Sequence, residues 1–148
     1  MEHKLIYKKI RMLLSDSVRP MSSQDPNPLP YGALPYYQVH FIVDSVKVVD
    51  PGIFMAKCEP LTRGHLRNKA VIDLQWSGGR LADVLKSDKI LSEMLMPLML
   101  GEGEISIDPQ NNRVRIYTSW KREDNLKFSL RFFKAIERIA TTIRQLSK

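Results

Sequence analysis

Hydrophobic and polar residues alternate in some stretches of the chain and recur at helical spacing in others. In residues 36–43, YYQVHFIV, the positions Tyr37, Val39, Phe41 and Val43 fall on one face with a period of two, which predicts a strand. VKVV continues that strand after Asp44-Ser45, and the DPG at 50–52 reads as a turn before a further strand, IFMAKCE. In residues 70–76, AVIDLQW, the positions Ala70, Ile72, Leu74 and Trp76 share a face. EISID and RVRIYTSW, joined by PQNN, predict a hairpin.

The period changes to 3.6 in three places. HKLIYKKIRMLL (3–14) brings Ile6, Ile10, Leu13 and Leu14 together, with Lys4, Lys8 and Arg11 on another side, as in a short amphipathic helix. A middle helix over 80–96 carries an apolar stripe of Leu81, Val84, Leu85, Leu91, Met94 and Leu95 that continues to Leu98, with Asp88 on the same stripe as a break or a polar contact. The last helix, from about Asn125 to Leu146 with Asp124 or Asn125 as N-cap, places Phe132, Phe133, Ile136, Ile139, Ala140 and Ile143 on one half. Five of the nine prolines fall in residues 15–35, which therefore read as a linker.

Strands that run in groups between helices predict an α+β fold: a mostly antiparallel sheet of about five strands, a middle and a C-terminal helix packed on it, and the short N-terminal helix. The organisation expected is a helix at 1–14, a linker at 15–35 and a single α+β domain at 36–148. The longest apolar run, Met94–Leu100, is far below the roughly 20 residues that span a bilayer, so no transmembrane segment is expected. Cys58 is the single cysteine, which rules out an internal disulfide and a cysteine metal cluster and suits a cytoplasmic protein, peripheral at a membrane if it binds lipid.

The net charge of +7 is unevenly placed: +3 over residues 1–20, +3 over 61–69, +5 over 121–148, and −2 in each of the two intervening stretches. Such a chain favours anionic partners. On the last helix, Lys127, Arg131, Lys134 and Arg138 are spaced 4, 3 and 4 and form a cationic line opposite the apolar half. Arg113, Arg115 and Tyr117 alternate onto one strand face, the arrangement by which a sheet holds single-stranded nucleic acid. LTRGHLRNK (61–69) gathers Arg63, His65, Arg67 and Lys69 into a basic loop.

Catalytic signatures are sparse. Ser77-Gly78-Gly79-Arg80 lies between a strand and a helix, where free backbone N–H groups can hold an anion, but the same residues suffice to turn a corner, and no phosphate-loop or dinucleotide pattern surrounds them. His3, His40 and His65 are too scattered for a metal set, and Cys58 suits a buried thiol better than a nucleophile. The expectation is a non-catalytic binding domain without a cofactor, whose basic surface meets an acidic protein or an anionic membrane. Nucleic acid is the competing partner. An enzyme for a phosphorylated small molecule, built from Gly78, Gly79, Arg80 and the 61–69 loop, is the alternative from another class.

Overall fold

The computed structural model describes residues 18–24, 37–120 and 130–148. The fold is α+β. Six strands form one antiparallel sheet: β1 (Val18–Gln24), β2 (Tyr37–Val43), β3 (Ala56–Arg63), β4 (Ala70–Gly78), β5 (Ile105–Gln110) and β6 (Arg113–Trp120), in the spatial order β1-β2-β6-β5-β3-β4. The helices are α1 (Pro51–Phe54), α2 (Arg80–Ser87), α3 (Lys89–Glu102) and α4 (Leu130–Leu146), with a 3-10 turn at Leu66–Asn68. The proposed N-terminal helix at 1–14 lies outside the described residues, as do the first residues of the last helix with Asp124, Asn125 and Lys127.

Alternation along the strands builds the core. Phe41, Val43, Ala56, Cys58, Leu74, Ile105, Ile107, Val114 and Ile116 are buried with Leu81 and Leu85 of α2, Leu91, Leu95 and Met99 of α3, and the apolar half of α4. The register ties them together, since Phe41 faces Ile116, Ile116 faces Ile107, and Ile107 faces Ala56. On α4, Phe132, Phe133, Ile136, Ile139, Ala140 and Ile143 are all buried. Phe132 and Phe133 meet Phe41 edge-to-face at centroid separations of 5.8 and 6.3 Å, a geometry that suits the aromatic quadrupole.

Local chemistry moved several boundaries from those the pattern suggests. Val18–Gln24, inside the proline-rich stretch, is a strand at the edge of the sheet, where Pro20 is tolerated because one side of an edge strand has no ladder to supply. Residues 46–49 do not extend β2: Val46 turns inward and its N–H donates to the Asn112 carbonyl at 3.0 Å, while Val49 is 79% exposed. The DPG at 50–52 starts a helical turn, because the Asp50 carboxylate accepts from the Gly52 N–H and Pro51 has the fixed φ suited to a first helical position. β3 therefore begins at Ala56, three residues later than IFMAKCE implies, and runs through Arg63.

The face assigned to residues 70–76 holds only in part. A bulge shifts the β3–β4 register between Leu61 and Thr62, which face Asp73 and Val71, and leaves Ile72 without an opposite residue. Leu74 is buried and Trp76 packs against the core, but past the bulge Val71 takes the inward position, while Ala70 is exposed and Ile72 is 47% exposed.

The middle helix divides in two at Asp88. This residue closes α2, with its N–H donating to the Leu85 carbonyl, and opens α3 as N-cap, its carboxylate accepting from the Leu91 N–H at 3.1 Å. The apolar stripe restarts after the break, so Val84 is exposed and Met99 is buried. The same carboxylate accepts two hydrogen bonds from Arg138 of α4, at 2.6 and 3.0 Å. The Arg138 guanidinium thereby holds the Asp88 carboxyl below its usual range.

Two stability predictions result. Phe133→Ala or Ile136→Ala should cost about 2–5 kcal/mol in denaturant melts through lost burial and a cavity, while Lys134→Ala stays within about 0.5 kcal/mol. Asp88→Ala should cost about 1 kcal/mol or more at neutral pH through loss of the cap. Because the folded pKa of Asp88 is depressed, its ionised form stabilises the fold above the unfolded value of about 4, and that contribution disappears as pH falls through the folded value. Asp88→Asn, which can still cap, should flatten that part of the acid dependence in melts between pH 5 and 2.

Candidate functional site

The Ser77-Gly78-Gly79-Arg80 corner is built around two glycines with different duties. Gly78 sits at φ +134, a backbone state that a Cβ disfavours. Gly79 has an ordinary φ of −87, and glycine is needed there for space: a methyl on it would overlap the Gly52 carbonyl oxygen, as one on Gly78 would overlap that of Met55. Gly79 donates its N–H to the Met55 carbonyl at 2.8 Å, and its own carbonyl accepts from Ala82 and Asp83. The corner clamps the start of α2 onto the entry to β3. Asp83 in the first turn already supplies a negative charge to the positive end of the helix dipole. Arg80 is exposed.

The two elements that would have to join in a phosphate pocket stand apart. Arg63, His65, Arg67 and Lys69 lie beyond one end of β4, while Ser77, Gly78, Gly79 and Arg80 lie at the other. Nine residues of strand, at about 3.3 Å each, separate them by roughly 25–30 Å. Ser77 and Gly78 instead border a shallow depression of about 400 Å³ on the sheet, together with Lys57, Ser106, Asp108 and Tyr117. Its charges are balanced. Lys57 reaches Glu59 and Glu104 at 3.0 and 3.1 Å, which raises its pKa, and Asp108 receives Arg115 at 2.7 Å.

Arg113, Arg115 and Tyr117 do share the strand face opposite the buried Val114, Ile116 and Thr118. Arg115 is committed within the fold: it bonds Asp108, and its guanidinium carbon lies 4.3 Å from the centre of the Tyr117 ring. His40, directly across from Tyr117, stacks on the same ring at 5.4 Å. His40 is buried, and its pKa is lowered by that burial and by nearby Arg115. Of the three, Arg113 is the exposed one.

The cationic line of α4 is also divided. Arg131 and Lys134 are exposed, whereas Arg138 belongs to the Asp88 pair. The cations of the 61–69 segment are exposed, and no ion pair forms to Arg63, Arg67, Lys69, Arg131 or Lys134 among the described residues. Cys58 is fully buried, and burial, helped by Glu59, pushes its thiol up to about 12, so at neutral pH it is protonated and shielded. No group of three or more His, Cys, Asp or Glu side chains among the described residues is placed to hold a metal ion.

One surface feature has no counterpart in the hydropathy pattern or the motifs. Asp44, Ser45, Lys47, Asn111, Asn112 and Arg113 border an open cleft of about 710 Å³ between the loop after β2 and the β5–β6 turn. Ser45 and Asn111 have φ of 58 and 51. The Asn-Asn dipeptide signals the turn, but only the tertiary fold sets it beside Asp44-Ser45. No family model, curated protein or solved structure matches the chain.

Gly78→Ala should lower stability by roughly 1 kcal/mol or more through strain at positive φ, and Gly79→Ala by about 1–3 kcal/mol through the steric overlap alone. Arg80→Ala should leave stability within about 0.5 kcal/mol. Melts with phosphate, sulfate and nucleotides should show no saturable shift that depends on Arg80, since a ligand confined to the folded state would raise its stability by mass action.

Proposed function

We propose that the protein is a non-catalytic binding domain that holds an extended anionic surface. The observation that carries this reading is the division of its cations. Lys57, Arg115 and Arg138 are consumed by carboxylates inside the fold, while Arg63, Arg67 and Lys69 at the β3–β4 turn and Arg131 and Lys134 on α4 face solvent with no ion pair among the described residues. Exposed cations without intramolecular partners retain their full field for a ligand. The anticipated partner classes, an acidic protein, an anionic membrane or nucleic acid, share the negative charge that such a surface recognises. Among the described residues no helix is long and apolar enough to cross a membrane, so a lipid partner would be met from the surface.

The enzyme alternative draws less support. The separation of the 61–69 segment from the Ser77–Arg80 corner leaves no shared pocket for a phosphorylated substrate, and the Cys58 thiol is inert.

Binding to polyglutamate, to vesicles containing phosphatidylserine and to nucleic acid at low salt tests the reading. Association with at least one of these should weaken steeply as salt rises, because screening and counterion release remove the driving force. Reversing Arg131 and Lys134 together to Glu should weaken it several-fold with little change in stability. Failure to bind any of the three at low salt would overturn the proposal.

A further inference from the structure

β3 and β4 outrun the rest of the sheet. β3 pairs with β5 only over Ala56–Cys58, but with β4 as far as Arg63. The five residues Glu59–Arg63 and their partners on β4 therefore form a two-stranded ribbon that reaches roughly 15 Å past β5 before its connecting turn. One face of the ribbon is held against the fold nearly to its tip, since Leu74 is buried, Pro60 is partly buried, and Val71, opposite Thr62, packs against the core. At the far end Arg63, His65, Arg67 and Lys69 are exposed. The tip is a compact turn: Gly64 adopts φ +104 close against the Asn68 carbonyl, and the Asn68 N–H donates to the His65 carbonyl at 3.0 Å in a 3-10 turn.

We infer that this ribbon enters the major groove of duplex DNA, with Arg63, Arg67 and Lys69 holding the flanking phosphates. The inference rests on the anionic-surface reading above and names its partner. Three observations favour a duplex. The major groove, about 12 Å wide, admits a two-stranded ribbon, and the extension here has that form. Arg63 ends β3, Arg67 lies in the 3-10 turn and Lys69 immediately precedes β4, so the cations gather at the tip on either side of the turn, where they can meet phosphates. Residues 60–72 contain no acid, and the two carboxylates of the ribbon lie behind the tip: Glu59, which pairs with Lys57, and Asp73, opposite Leu61. Leu61 and Ile72, 39% and 47% exposed behind the tip, offer aliphatic surface to thymine methyl groups at the groove floor. A membrane would favour Trp, Tyr or Phe on such a ribbon, and residues 60–75 contain none.

Fluorescence anisotropy with the full chain tests this, using a duplex DNA of about two helical turns, its single strand, a duplex RNA of the same sequence, polyglutamate and phosphatidylserine vesicles. The Arg63→Ala/Arg67→Ala/Lys69→Ala variant and the Arg131→Ala/Lys134→Ala variant are compared, with circular dichroism melts to establish that both are folded. The ribbon variant should bind duplex DNA at least tenfold more weakly and reduce the slope of log affinity against log salt by about 3, one unit for each phosphate no longer neutralised. Duplex RNA should bind at least tenfold more weakly than DNA, because the A-form major groove is too narrow for side chains to read. DNA binding that survives in the ribbon variant, equal affinity for duplex RNA or single strand, or binding confined to vesicles or polyglutamate would each overturn the inference and leave the anionic-surface reading standing. No binding to any polyanion would overturn both.

Discussion

The burial of one half of α4 against the sheet is the contact on which the other packing arrangements depend. Phe132 and Phe133 meet Phe41 of β2, and β2 is hydrogen-bonded to β1 on one side and β6 on the other, so the helix is anchored on the strand next to the β1 edge. Such a contact is non-directional, driven by the apolar area withdrawn from water. The Asp88–Arg138 pair adds direction. It joins the break between α2 and α3 to α4 across fifty positions of sequence, while the same carboxylate caps α3. One side chain thereby fixes where a helix ends, where the next begins and which helix lies alongside.

That arrangement also decides which charges are available for binding. Burial on one face of the sheet brings cation and carboxylate neighbours together along the other, where Arg115 meets Asp108 across adjacent strands and Lys57 meets Glu59 and Glu104. A net charge of +7 is therefore a poor guide to the binding field. The useful quantity is the set of cations left without carboxylates among the described residues, and part of it lies where no neighbouring strand supplies them. The β3–β4 extension is the clearest such place among the described residues: its tip has no acid of its own and projects beyond β5. The same unpaired backbone that makes an extension open to a ligand also makes it a hazard for strand addition, and the bulge at Ile72 twists the edge in a way that discourages it.

The sequence by itself determined the α+β class, the core of the strands at Phe41, Val43 and Leu74, the hairpin of β5 and β6 and the buried half of α4, because each is written in a local period, although β2 is covered on both faces and buries His40 and Ile42 as well. It also marked the glycine corner and singled out Asp88. Tertiary structure decided the rest. The bulge moved Val71 inward and Ile72 outward, since a register is set by two strands jointly and one strand's alternation cannot record an extra residue in its ladder. Gly79 is required by the Gly52 carbonyl, a neighbour 27 positions away in the chain that no local pattern shows. Arg138 shares a helical stripe with Arg131 and Lys134, yet among the described residues it alone of the three meets a carboxylate, because helix packing places Asp88 beside it. Local periodicity specifies which side of an element is buried; which charges remain free is a property of the neighbours that folding brings together.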